Sequence, residues 1–153
     1  MHSFSPLALE CLNKAGWHDG RKMPLVQYLK YRACLPNEGY PWFPAVADFL
    51  EEFGGLAIGF SRREYIETMK PDACNASDSF DNWWIMQNYT QRIGQVKICP
   101  IGTVYGDHLL LFIDDAGNVY GGFDDFLCFI GSNGVDAIEA LCSNRPTPEI
   151  PEI

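Results

Sequence analysis

The sequence predicts a single α+β domain, with helices first, an antiparallel sheet next and one helix to close the chain. Apolar residues before Gly54 recur at helical spacing. From Gln95 onward they gather into short runs separated by glycine- and aspartate-rich turns, and the segment after these runs returns to helical spacing. The predicted domain covers residues 1–145, and residues 146–153 form a proline-rich tail.

The first helix starts at Ser5-Pro6: the serine hydroxyl suits an open backbone N–H, and proline suits the first helical position. Ala8, Cys11, Leu12 and Ala15 share one face, and Gly16 stops the helix. A second helix begins at Pro24 with Leu25, Tyr28 and Leu29 facing inward, and Pro36 is expected beyond its end. The third runs from Pro44 to Phe53 with Val46, Phe49, Leu50 and Phe53 inward, until Gly54-Gly55 breaks it.

Strand character appears at Leu56–Phe60 and again at Glu64–Met69. Residues 79–92 fit a helix with Phe80, Trp83, Trp84 and Gln87 at helical spacing. Four strands follow, over Val96–Ile101, Leu109–Asp114, Asn118–Phe123 and Phe126–Ile130. Leu109 to Ile113 is apolar at every position, which places that strand centrally in the sheet. The closing helix turns Val135, Ile138, Leu141 and Cys142 inward, and the tail from Pro146 to Ile153 is expected to be extended and loose.

With 47% hydrophobic and 14% aromatic residues, the 153-residue chain can bury a core without a metal or a disulfide. Its net charge of −9 repels phosphate backbones and anionic headgroups, which argues against nucleic-acid or membrane binding. The same charge attracts a basic protein, or simply keeps the chain soluble. The N-terminus lacks a secretory signal pattern, and Cys11, Cys34, Cys74, Cys99, Cys128 and Cys142 are spread evenly with no CxxC pair. A reduced, cytoplasmic protein is therefore expected.

Catalytic chemistry has no visible owner. The three histidines are His2, His18 and His108, and a dyad of Cys74 or Cys99 with His108 lacks any nucleophile motif around it. Asp114-Asp115 and Asp124-Asp125 are carboxylate pairs, but neighbours on a strand point to opposite faces and read better as turn residues. No phosphate loop, metal-ligand spacing or cofactor motif occurs. Tryptophan is the unusual feature: Trp83 and Trp84 flank polar residues, and exposed tryptophan makes a good interface anchor. An aromatic, glycine-rich face could also take a small ligand.

Four segments together resemble the SUKH superfamily, in its third subgroup. They are AGWHDGR at 15–21, FLEEFGGL at 49–56, PIG at 100–102 and LLLFIDDAGNVY at 109–120. The resemblance singles out Gly16, Trp17, Arg21, Phe53, Gly54, Gly55, Pro100, Gly102, Asp114, Gly117 and Tyr120, whose residue types suit scaffold roles. Arg21 is suited to holding a carboxylate or chain end, Gly54 and Gly55 to backbone freedom, and Gly102 and Gly117 to tight turns. Residues 71–93 depart from the family pattern in their tryptophan content, as a partner-specific segment would. The resemblance implies a non-enzymatic immunity protein, without cofactor, that binds a cognate toxin stoichiometrically in the cytoplasm. Toxins countered this way are often nucleases or nucleic-acid deaminases with basic clefts. On that reading the contact residues are Asp78, Asp81, Trp83, Trp84, Asp124 and Asp125. The alternative is a SUKH-type regulatory scaffold with no toxin partner.

Overall fold

The computed structural model describes residues 2–94 and 96–152; Gln95, where strand character was expected to begin, and Ile153, at the end of the tail, lie outside them. Helix α1 (Pro6–Ala15) is capped by Ser5, whose Oγ accepts the Ala8 N–H, and Gly16 ends it in the left-handed region at φ 100°. Helix α2 is Leu25–Asn37 and α3 is Pro44–Phe53. A hairpin of β1 (Ile58–Arg62) and β2 (Tyr65–Met69) follows, then α4 (Ala73–Asp78) and α5 (Asn82–Arg92). The main sheet is an antiparallel meander of β3 (Ile98–Val104), β4 (Leu109–Asp114), β5 (Val119–Phe123) and β6 (Phe126–Gly131), in that spatial order. Helix α6 (Gly134–Cys142) completes the fold, and Lys70 bridges to Thr103 so that the hairpin continues the sheet past β3.

Alternation along the strands builds two cores, one on each face of the sheet. Cys99, Ile101, Leu109, Leu111, Ile113, Cys128 and Ile130 join α1, α3 and α6 in the larger core. Ile98, Leu110, Phe112, Tyr120 and Leu127 join Ile85 and Tyr89 of α5 in the smaller one. This two-sided cover is why β4 is buried at every position, as its sequence predicted. The rings of Tyr89, Phe112 and Tyr120 stack in a row across the smaller core, with centroids 5.4 and 5.5 Å apart.

Several expectations are corrected. In α2 the buried residues are Tyr31 and Leu35 and Tyr28 packs half-buried against the core as expected, while Leu25 and Leu29 are exposed, and Pro36 sits inside the last turn. An apolar stripe cannot by itself say which neighbour, if any, covers it. In α5 the buried pair is Ile85 and Tyr89; Phe80 and Trp84 pack at the edge of the same core, whereas Trp83 and Gln87 are exposed, and the short α4 was not anticipated. The tail is extended but not loose: Phe129 N–H donates to Pro148 O at 2.9 Å and Ile150 N–H to Leu127 O at 2.7 Å. A wholly reduced chain is also corrected. Cys34 of α2 and Cys74 of α4 form a disulfide, with Cα atoms 5.9 Å apart, whereas Cys11, Cys99, Cys128 and Cys142 are free and buried. Those two cysteines lie 40 residues apart, and only the packing of α2 against α4 brings them into bridging range.

Candidate functional site

Asp81 lies just ahead of α5, where its Oδ1 accepts the Trp84 N–H at 3.1 Å and fixes the start of the helix. Across from it, Asp124-Asp125 forms the two-residue turn between β5 and β6, with Phe123 paired to Phe126. Tyr89 donates its hydroxyl to Asp124 O at 2.9 Å, and Arg92 donates to Asp125 O at 2.7 Å, so two side chains of α5 hold the acidic turn by its backbone. Burial pushes the Tyr89 phenol well above its ordinary pKa, which keeps this donor protonated. The carboxylates of Asp124 and Asp125 are left exposed to solvent.

Between these parts lies a cleft of about 440 Å³ lined by Phe80, Asp81, Trp84, Ile85, Tyr89, Asp124 and Asp125. Four of the six residues expected from sequence to contact a partner therefore share one cavity. A second hollow of about 190 Å³ shares Trp84 and Asp125 with it and adds Asn88, Gln91, Arg92 and Glu152. Trp83 stands outside the cleft on the outer face of α5, 71% exposed, and Asp78 is exposed at the end of α4. Sequence reasoning missed Tyr89, Arg92 and Glu152. The Ile85–Tyr89 spacing of four residues signalled the true inner face, but nothing in the sequence joins Arg92 or Glu152 to the β5–β6 turn.

The motif residues do not line the cleft and fall into separate scaffold groups. Trp17 lies nearly parallel to Phe53 with centroids 6.4 Å apart, and its Nε1 donates to Glu52 Oε2 at 3.0 Å. Arg21 donates to Glu52 O at 2.6 Å and Gly54 O at 3.1 Å, so it caps the C-terminal carbonyls of α3 and does not hold a carboxylate or chain end. Gly54 has φ −55°; it is needed for space, since a Cβ there would meet Leu50 O at 2.4 Å. Gly102 likewise lies at a register shift in β3, not in a tight turn, and a Cβ would meet Lys70 O at 2.3 Å. Gly55 at φ 82° and Gly117 at φ 96° do need glycine's conformational freedom. Asp114 accepts from the Ala116 and Asn118 N–H groups and from Tyr120 Oη. Pro100 pairs with Phe112 inside the buried β3.

The model of the SUKH-3 immunity protein family matches residues 4–144, a span that contains all of these contacts. The chain belongs to the SUKH-3 immunity protein family. No curated protein and no solved structure shows a significant match. In this SUKH-3 protein, Cys74 is bridged to Cys34, and Cys99 is buried with its thiol pKa pushed far up by desolvation. His108 is exposed near the β3–β4 turn, five strand positions, or roughly 16 Å, beyond the Cys99–Ile113 pair. The dyad weighed from sequence does not form. Among the described residues no group of three or more His, Cys, Asp or Glu is placed to hold a metal, and no helix is long and apolar enough to cross a membrane. Another cavity, about 450 Å³, lies between α3 and the start of α6 and is lined by residues including Phe49, Phe53, Ile113, Asp48 and Glu52.

Proposed function

We propose that this chain neutralises a cognate protein toxin in the cytoplasm by direct stoichiometric binding, catalyses nothing itself, and meets the toxin with the acidic cleft between the start of α5 and the β5–β6 turn. The observation that carries the reading is the convergence of Asp81, Trp84, Asp124 and Asp125 on one cleft, in a chain of net charge −9 from an immunity family. A nuclease or nucleic-acid deaminase needs a basic cleft to hold phosphates, and carboxylates stand in for phosphate oxygens there. The charge steers encounter, while Trp83 supplies the desolvated contact that slows dissociation. Asp78 extends the acidic rim toward α4.

Co-expression with a candidate cognate toxin tests the proposal. Wild type should restore growth, and Trp83→Ala combined with Asp124→Asn and Asp125→Asn should protect poorly at equal protein level. Full protection by the triple variant would remove this face from the mechanism. Protection in the absence of any complex would remove direct binding.

A further inference from the structure

Helix α2 is apolar on two sides. Its inner side carries Tyr31 and Leu35, yet Leu25, Val26 and Leu29 are 69%, 83% and 52% exposed on the outer side. At 100° per residue, Leu25, Leu29 and Ala33 line up along the helix with Val26 beside them, making one outward apolar stripe. The bridge from Cys34 to Cys74 and the packing of α2 on α4 hold the opposite side against the body of the protein, so the stripe is presented on a fixed helix.

The charge on this helix, carried by Lys30 and Arg32 with no carboxylate, is opposite to that of the molecule. From Gly20 to Asn37 there is no Asp or Glu, while Arg21, Lys22, Lys30 and Arg32 are all basic. The remainder of the chain carries the whole of the negative excess. Lys30 and Arg32 fall on the two borders of the stripe, whereas Lys22, ahead of the helix, is paired with Glu51 at 3.5 Å. Arg32 is held in place with its guanidinium 5.4 Å from the centroid of the Trp42 ring. An apolar line bordered on both sides by cations is complementary to an apolar line bordered by carboxylates.

We propose that the outer face of α2 docks an acidic amphipathic helix of a protein partner. A second copy of this chain fits poorly, because pairing α2 with itself sets Lys30 and Arg32 against their own counterparts. An anionic bilayer also fits poorly: three aliphatic side chains give shallow insertion without an interfacial aromatic, and the rest of the molecule is repelled. This surface shares no residue with the acidic cleft and does not depend on the toxin reading.

The test uses two synthetic amphipathic helices, identical in their leucine stripe, one bordered by glutamate and the other by lysine. Each is titrated into the isotope-labelled full chain by NMR. The glutamate helix should shift amides of residues 25–37, and Leu29→Ser or the pair Lys30→Glu with Arg32→Glu should weaken it about tenfold or more. These side chains are exposed, so the melting temperature of each variant should stay within about 4 °C of wild type, the Arg32→Glu change losing its contact with Trp42. Equal shifts from both helices, or none from either, would overturn the proposal. Binding to phosphatidylglycerol vesicles without response to the glutamate helix would assign the face to lipid instead. Concentration-dependent dimerisation lost in Leu29→Ser would assign it to a second copy.

Discussion

At Asp114 one buried carboxylate accepts from the N–H groups of Ala116 and Asn118, the Asn118 amide and the Tyr120 hydroxyl, and so shapes the β4–β5 turn. Asp114→Ala leaves those donors without an acceptor, a loss of about 2–4 kcal/mol, read as a melting temperature lower by about 10 °C. An unchanged melting curve would contradict this role. From sequence, Asp114 was one of a pair of turn aspartates; that it is buried, and Asp115 is not, followed only once β4 was covered on both faces. Glu139 links the ends of the chain, accepting from Ser5 N–H and Ser5 Oγ at 2.7 Å each. Burial alone would raise its pKa, but the hydrogen bonds from Ser5 and Ser143 and the charge of Arg145 outweigh burial and hold it below 4.5. A depressed carboxylate stabilises the fold fully above its unfolded pKa, and that contribution is lost as pH falls through the lower folded value. Melting temperature should therefore drop on acidification below about pH 4.5, and Glu139→Gln should flatten part of that drop.

The docked tail gives the element scale its clearest case. It adds an extended segment beside β6, with Ile150 against the smaller core and Arg92 donating to the Ile150 and Pro151 carbonyls. Pro148 and Pro151 flank Glu149 on the outer side, a combination that discourages further strand pairing. Truncation after Arg145 should therefore speed hydrogen exchange at the Phe129 amide by about tenfold or more and promote self-association through the bare β6 edge. Unchanged exchange at Phe129 would show that the tail covers nothing. Three prolines made this segment read as loose, because composition reports stiffness but not the edge it meets. Helix α3 was legible to the residue, since its apolar face, Pro44 start and Gly54 stop all agree. Helix α2 was legible as a helix but not in its facing, because both its sides are apolar.

Over the whole molecule, two opposite charge patterns sit on one fold, an acidic cleft at α5 and the β5–β6 turn and a basic-bordered stripe on α2. The family segments were legible because they make the scaffold: Trp17, Arg21, Phe53 and Gly54 meet around Glu52. The cleft was legible only in parts, since Asp81 and Asp124 are brought together by the packing of α5 on the sheet and by nothing in their local sequence. Because Trp83 is exposed and outside both cores, Trp83→Ala should leave stability within about 0.5 kcal/mol of wild type in a denaturant titration. The most direct test of the proposed toxin neutralisation through the acidic cleft is a kinetic titration of the purified chain against a candidate cognate toxin domain at low and high salt. One-to-one binding is expected, with association slowing as salt rises and dissociation at least about tenfold faster in Trp83→Ala. Binding that ignores salt, Trp83, Asp124 and Asp125 alike would contradict the account.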